Sequence, residues 1–438
     1  MVAGGAVRRW TNVACGALLG GGALLACTAA GGAPETVLTF WAFGREGEVV
    51  QGLVRDFERQ NPGIRVKVQQ IPWIAAHEKL LTGYVGETSP DVAQLGNTWI
   101  AEFVALRALD GLDQRLAGSA VVRRADYFRG IWATNVLDGV TWGVPWYVDT
   151  RLLFYRTDLL QKAGVTAVPT TWAAWREAMQ KVRATSAAPY AIYLPLNEWN
   201  LPIILGMQAG SPLLKANGTR SAFSDSAFRR AFEFYVGIYR DSLAPVLGLQ
   251  QVANVYQEFA RGMFAMYTTG PWNLGEFANR LPPALQDKWA TAPLPGPTGD
   301  SSGVSMAGGS SLVIFATSRH KDAAWRLVEF LSRPVQQARF YLLSGDLPPS
   351  YPAWEDSALA NNPRARAFRV QLERVRPLPM VPEWEEIATA TLDYAERAIR
   401  GNLTTEAALA ALDADVARML EKRRWMMQRR GANAASHP

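Results

Sequence analysis

Apolar and polar positions along this chain follow two alternating periods. Thr36 to Phe43 is a β-branched and aromatic run of strand length, and Val49, Val50, Leu53, Val54 and Phe57 then recur at helical spacing. Asn61-Pro62-Gly63 breaks the chain before Ile64, Val66 and Val68, which alternate with polar residues. This predicts strand, helix, turn, strand. A second helix is expected over Ala75 to Tyr84, a short apolar strand over Asp91 to Leu95, and a helix from Thr98 to Leu106. Farther on, Trp142 to Tyr155 is strand-like, Thr170-Thr171 caps a helix through Arg183, and Ser224 caps an amphipathic helix carrying Phe228, Phe232, Tyr235 and Tyr239. Met263 to Tyr267 and Leu312 to Phe315 read as buried strands, the latter entered through the small-residue stretch Ser301 to Ser311. Ser318 caps a helix through Leu331, and the helices Glu385 to Ile399 and Thr405 to Leu420 close the pattern. Such alternation implies an α/β chain with a mainly parallel sheet covered by helices, built as two successive units.

Composition agrees with two packed cores: the 438 residues are 49% hydrophobic and 19% charged. The net charge of +6 includes Arg8 and Arg9 of the leader, which leaves +4 beyond it and argues against a nucleic-acid binder. The clearest basic concentration, Lys422, Arg423, Arg424, Arg429 and Arg430, reads as part of a solvated end. Arg8 and Arg9 precede an uncharged apolar stretch, Trp10 to Ala26, with the design of an export signal and too little length for a comfortable span. It ends in Leu24-Leu25-Ala26-Cys27, which resembles the bacterial lipobox. Cys27 is then expected to carry lipid and tether the chain to the outer face of the cell membrane, with 28–35 as spacer. Cys15 and Cys27 are the only cysteines, so a disulfide framework and a Cys-ligated metal site are excluded for the folded part.

Several stretches together resemble the family 1 extracellular solute-binding proteins, the maltodextrin-binding-like subunits of sugar importers. They are Phe40-Trp41, Phe57-Glu58 with Asn61-Pro62-Gly63, Pro90-Asp91-Val92 leading to Gly96-Asn97-Thr98-Trp99, and Gly143 to Tyr147 running into Leu153 to Leu160 and Pro169-Thr170-Thr171-Trp172. Gly262 to Met266, Gly270-Pro271-Trp272 and Leu347-Pro348-Pro349 follow in the same order. The resemblance implies a two-lobed periplasmic-binding-protein fold of type II, with chain crossings near Asp149, Ser310 and Gly345. Lobe 1 would comprise 36–149 and 311–345, and lobe 2 150–310 and 346–425, with 426–438 a polar tail. It implies capture of a mono- to oligosaccharide by hinge closure, delivery to the permease of an ABC importer, monomeric action, no cofactor and no catalysis.

A pyranose presents hydroxyls around an apolar C–H face, so its site needs flat aromatic platforms and convergent hydrogen-bonding groups. Trp41, Glu46, Trp73, Asn97 and Thr98 follow predicted strands of the first unit, where open α/β folds build their ligand crevices. Core packing competes for the tryptophans, helix capping for Asn97 and Thr98, and a first-turn position for Glu46. By the resemblance, Trp146, Tyr147 and Asp149 lie on the strand passing the cleft and Trp272 is a stacking aromatic. Gly308 and Gly309 would let backbone amides approach the ligand, and Glu198 and Trp199 belong to a loop that either lines the cleft or closes a turn. Two rivals stand beside this reading. One is a tethered glycoside hydrolase, which needs only two suitably spaced carboxylates; the other is the same fold binding a polyamine, peptide or metal chelate. His77, His320 and His437 are isolated, and a solvated or capping role suits each.

Overall fold

The computed structural model describes residues 35–298 and 303–436, with side chains as far as Arg429. The export segment, Cys27 and most of the spacer lie outside the described residues. Among the described residues nine strands have four or more residues: β1 (Thr36–Phe43), β2 (Ile64–Ile71), β3 (Val92–Gly96), β4 (Val144–Asp149), β5 (Leu152–Arg156), β6 (Tyr190–Tyr193), β7 (Phe264–Thr269), β8 (Trp289–Ala292) and β9 (Gly308–Ile314). They sort into two sheets, with orders β2-β1-β3-β9-β4 and β8-β5-β7-β6. The helices used below are α1 (Gly44–Gln60), α2 (Trp73–Val85), α3 (Ile100–Ala105), α4 (Trp172–Ala184), α5 (Asn200–Gln208), α6 (Ser226–Arg240), α7 (Lys321–Ser332), α8 (Pro334–Ser344), α9 (Trp384–Ile399), α10 (Thr405–Met419) and α11 (Glu421–Ser436).

The two-residue period of β1 divides its side chains between two cores. Leu38, Phe40 and Ala42 pack with Val50, Leu53 and Phe57 of α1 and with Phe330 and Phe340, while Trp41 and Phe43 pack with Leu80 of α2 and Ile100 and Phe103 of α3. The second sheet is treated the same way. Leu153 faces a cluster with Trp175, Ile204, Phe232 and Trp384, whereas Leu152 and Phe154 face Tyr193, Phe277, Trp289 and Phe368.

The mainly parallel sheet expected from the alternation holds only in part. β1 is parallel to β2 and β3, but β9 runs antiparallel to β3 and β4, and β5 antiparallel to β7 and β8. The reason is connectivity. A parallel pair needs a crossover within its own sheet, whereas β5 and β9 are reached from the other sheet. The chain leaves the first sheet at Asp149 and starts the second at Leu152, then returns between Ala292 and Gly308. After α8 it passes Gly345, and Leu347 forms an antiparallel bridge to Val148.

Helix starts follow the expected cap at Thr171, whose side chain accepts from the Ala174 amide at 3.0 Å. Elsewhere they shift. Asp225, not Ser224, precedes α6, and its carboxylate is engaged by Lys215 Nζ at 2.9 Å instead of a backbone amide. Ser318 donates to Asp91 Oδ1 at 2.6 Å and accepts from the His320 amide, so α7 begins at Lys321. The segment expected as a polar tail, 426–438, is helical as far as Ser436, within α11.

Candidate functional site

At the C-terminal end of β1 the chain turns sharply into α1. Gly44 has φ +44°, and a Cβ there would stand 2.7 Å from Trp73 Cδ1, so only glycine permits this turn beneath the indole. The turn delivers Glu46 into a buried position in the first turn of α1. Its Oε1 accepts from Tyr147 Oη at 3.0 Å and from Trp73 Nε1 at 3.2 Å. Burial raises the Glu46 pKa, against the lowering effect of its backbone, Tyr147 and Trp73 hydrogen bonds.

Tyr147 is the knot of this region. Its hydroxyl donates to Glu46 and accepts from Gln94 Nε2 and Ser310 Oγ, each at 3.0 Å, while Gln94 Oε1 takes the Phe43 amide at 2.7 Å. One proton given and two accepted satisfies a phenol, so the buried polar thread ties β1, β3, β4 and β9 together. Burial first, then the charges of Glu46 and Asp346, holds the Tyr147 pKa well above its ordinary value.

A second cluster begins where β4 ends. Arg151 Nη1 donates to Asp149 Oδ1 at 2.6 Å and Nη2 to Asn200 Oδ1 at 3.0 Å, and Nε lies 3.8 Å from Glu198 Oε2. The guanidinium carbon sits 4.9 Å from the centroid of the Trp272 ring. Burial works against the Arg151 charge, but Asp149 and Glu198 outweigh it and hold its pKa above the ordinary value. Glu198 is pushed up by burial, which Arg151 opposes and Asp149 reinforces. Trp272 bends back over the Gly270 backbone so closely that a Cβ at 270 would collide with its ring.

Asp346 joins these clusters, and sequence reasoning missed it. The Val148–Leu347 bridge sets it opposite Asp149 on the neighbouring extended segment. It is buried, and burial and the charges of Glu46 and Asp149 raise its pKa well above the usual carboxylate range, with Ser344 opposing. Arg151 was missed as well. Its position two residues after Asp149 and the place of Asp346 beside Leu347-Pro348-Pro349 were the signals available.

The structure thus gathers Glu46, Trp73, Tyr147, Asp149, Glu198 and Trp272 around the two ends of the first crossing. Trp73 is the most open of them, 39% exposed, with its edge packed on Phe43 and Trp99. Other residues lie elsewhere. Trp41 is buried under α2, in contact range of Gly83. Trp146 is buried against Phe340, stacked at 4.5 Å between centroids. For both, strand alternation turns the indole into a core. Trp199 turns its edge to Trp384 and packs with the second-sheet core. Asn97 caps no helix: its Oδ1 accepts from Ser311 Oγ at 2.8 Å and its buried Nδ2 has no partner. With Thr98 it lines a cavity of about 10 Å³ beside Ala307 and Met380. Gly308 and Gly309 have a packing role. Their missing side chains admit β4: Gly309 has φ +122°, and a Cβ would strike the Tyr147 carbonyl oxygen. His77 lies inside α2 and caps no helix; its ring is partly exposed, and its Nε2 lies 2.6 Å from Glu102 Oε2, a carboxylate that raises its pKa.

The cluster offers aromatic faces, buried carboxylates with raised pKa and one guanidinium that organises them. Such a set recognises hydroxyl groups by charge-assisted hydrogen bonds. The family model of bacterial extracellular solute-binding proteins matches residues 43–338. The sugar-binding protein MalE from the phytopathogen Xanthomonas citri superposes with a TM-score of 0.86 at 48% identity, covering 90% of this chain and 99% of that one. A putative binding protein of Brucella abortus is 27% identical over 93% of this chain and 98% of its own length. The diacetylchitobiose binding protein DasA of Streptomyces coelicolor is 26% identical over 76% of this chain and 77% of its own.

Proposed function

The chain belongs to the bacterial extracellular solute-binding proteins, and on that premise we propose that it is the sugar-capturing subunit of an ABC importer, closing around a mono- to oligosaccharide and handing it to a membrane permease. The observation that carries this reading is the Trp272 ring backed by Arg151, which also holds Asp149 and Glu198. A sugar stacks its C–H face on the indole and shares its hydroxyls with the carboxylates, which needs both sheets and therefore favours the closed arrangement. No bond is made or broken.

Core packing supports lobes made of 36–149 with 311–345 and 150–310 with 346–425, since Phe330 and Phe340 pack with the first sheet and Phe368, Trp384 and Leu409 with the second, although β9 joins the first sheet already at Gly308. Trp73, Glu46 and Tyr147 serve from the first, and Trp272 and Glu198 from the second. Export and a lipid on Cys27 follow from the leader. The lipid on Cys27 is the tether, and the receptor acts as a monomer; among the described residues no helix is long and apolar enough to cross a membrane.

Thermal shift of the purified protein against mono- and oligosaccharides, followed by calorimetry, tests the reading, because a ligand bound only by the native state raises its midpoint. The expected result is one sugar class that stabilises. Trp272→Ala weakens that sugar at least about tenfold, roughly 1.4 kcal/mol, with the unliganded midpoint kept. Stabilisation by polyamines, peptides or chelates instead, or turnover of chromogenic glycosides, overturns it.

A further inference from the structure

A cavity of about 370 Å³ opens behind residues 377–381, and none of its lining residues belongs to the Arg151 cluster. The segment that forms one wall also faces the small cavity at Asn97 and Thr98 with its other side. Here the opposite wall is the 211–218 turn, and the base of α11 supplies Arg423. The charges are of one sign. Arg376 and Arg423 line the space, and no carboxylate does so among the described residues; the rest is largely apolar, with Met207, Leu378 and Val381 prominent.

Arg423 is held in place but not satisfied. Its Nη2 reaches the Asn217 carbonyl oxygen at 3.4 Å, whereas its Nε is buried with no hydrogen-bond partner. A buried donor of a charged group left without a partner is costly, so an acceptor that reaches it recovers that cost. Guanidinium forks match the oxygens of phosphate, sulfate and carboxylate. The volume falls at the small end of the roughly 300–1,000 Å³ typical of small-molecule sites.

We propose that this cavity is a second binding site, separate from the sugar cleft, for a small organic anion. Its oxyanion lies against Arg376 and Arg423 and its apolar body among Met207, Leu378 and Val381. The same chemistry is offered by a free organic phosphate and by an anionic lipid headgroup.

Calorimetric titration of the full chain with benzyl phosphate tests the site, with benzyl alcohol and inorganic phosphate as the two halves of the probe. The expected result is saturable binding of benzyl phosphate at least tenfold tighter than either half. Arg423→Gln and the exposed Arg376→Gln each weaken it about tenfold while the response to sugar is unchanged, which separates loss of the site from loss of fold. Equal binding of benzyl alcohol or inorganic phosphate, no saturation, or undiminished affinity in both variants overturns the proposal. Sedimentation with phosphatidylcholine vesicles containing phosphatidate separates the sources. Retention that Arg423→Gln abolishes assigns the headgroup of a lipid, and benzyl phosphate binding without retention assigns a free anion.

Discussion

Gly270 lacks a side chain where the Trp272 ring folds back over its backbone, and that contact yields a sharper test of the cleft than removal of the indole itself. In Gly270→Ala the new methyl group meets the ring, so the indole must leave its place over Arg151 although no ligand-facing atom has been deleted. Sugar affinity measured by calorimetry is expected to fall about as far as in Trp272→Ala, and unaltered affinity means that the ring is not the platform. His77 carries a pH prediction. Its folded-state pKa is raised above 6.5 by Glu102, so its contribution to stability is fully present below pH 6.5 and is lost as pH rises through the raised value. The urea midpoint of the wild type, taken relative to His77→Gln, should therefore decline from pH 6 to pH 8, and a flat difference contradicts the pairing. At this scale the sequence named Glu46, Trp73, Tyr147, Asp149, Glu198 and Trp272 but passed over Arg151 and Asp346. A charged residue gains meaning from what it reaches, and Arg151 reaches Asn200, which is 49 positions away.

Single elements were legible wherever apolar period and a capping residue coincided. α4 is the clean case, because Thr171 both looks like a cap and acts as one. Thr171→Ala should cost about 1 kcal/mol in chemical denaturation and leave sugar affinity alone, and a change in affinity would place α4 in the binding apparatus. Where a competing hydrogen bond was stronger the expected cap failed, as with Ser318, whose hydroxyl is taken by Asp91. The tryptophans show the limit of reading a strand end as a site. Trp41 and Tyr147 both lie near the ends of strands, yet the pleat sends Trp41 under α2 and brings Tyr147 to Glu46.

Sheet membership was beyond the periodicity, since Ser310 meets Tyr147 across 163 positions and nothing local in β9 records its partners. The resemblance supplied the interleaving that the hydrophobic pattern lacked. At the scale of the whole molecule the proposed closure predicts that saturating sugar lowers the radius of gyration in small-angle scattering, with Trp272→Ala failing to respond; an unchanged radius for a bound wild type argues for a site that exists without lobe movement.

The bridge between Val148 and Leu347, with the Val148 amide donating to the Leu347 carbonyl oxygen at 2.9 Å, has a kinematic consequence. Two of the three proposed lobe crossings, those at Asp149 and Gly345, are laced into one ribbon, which bends readily and shears poorly. Relative motion is thereby reduced towards one angular coordinate, and a single spin-label pair spanning the cleft should trace it. Both native thiols, Cys15 and Cys27, precede the folded part, so in a chain begun after Cys27 two introduced cysteines are the only attachment points and the measured distance reports that angle alone.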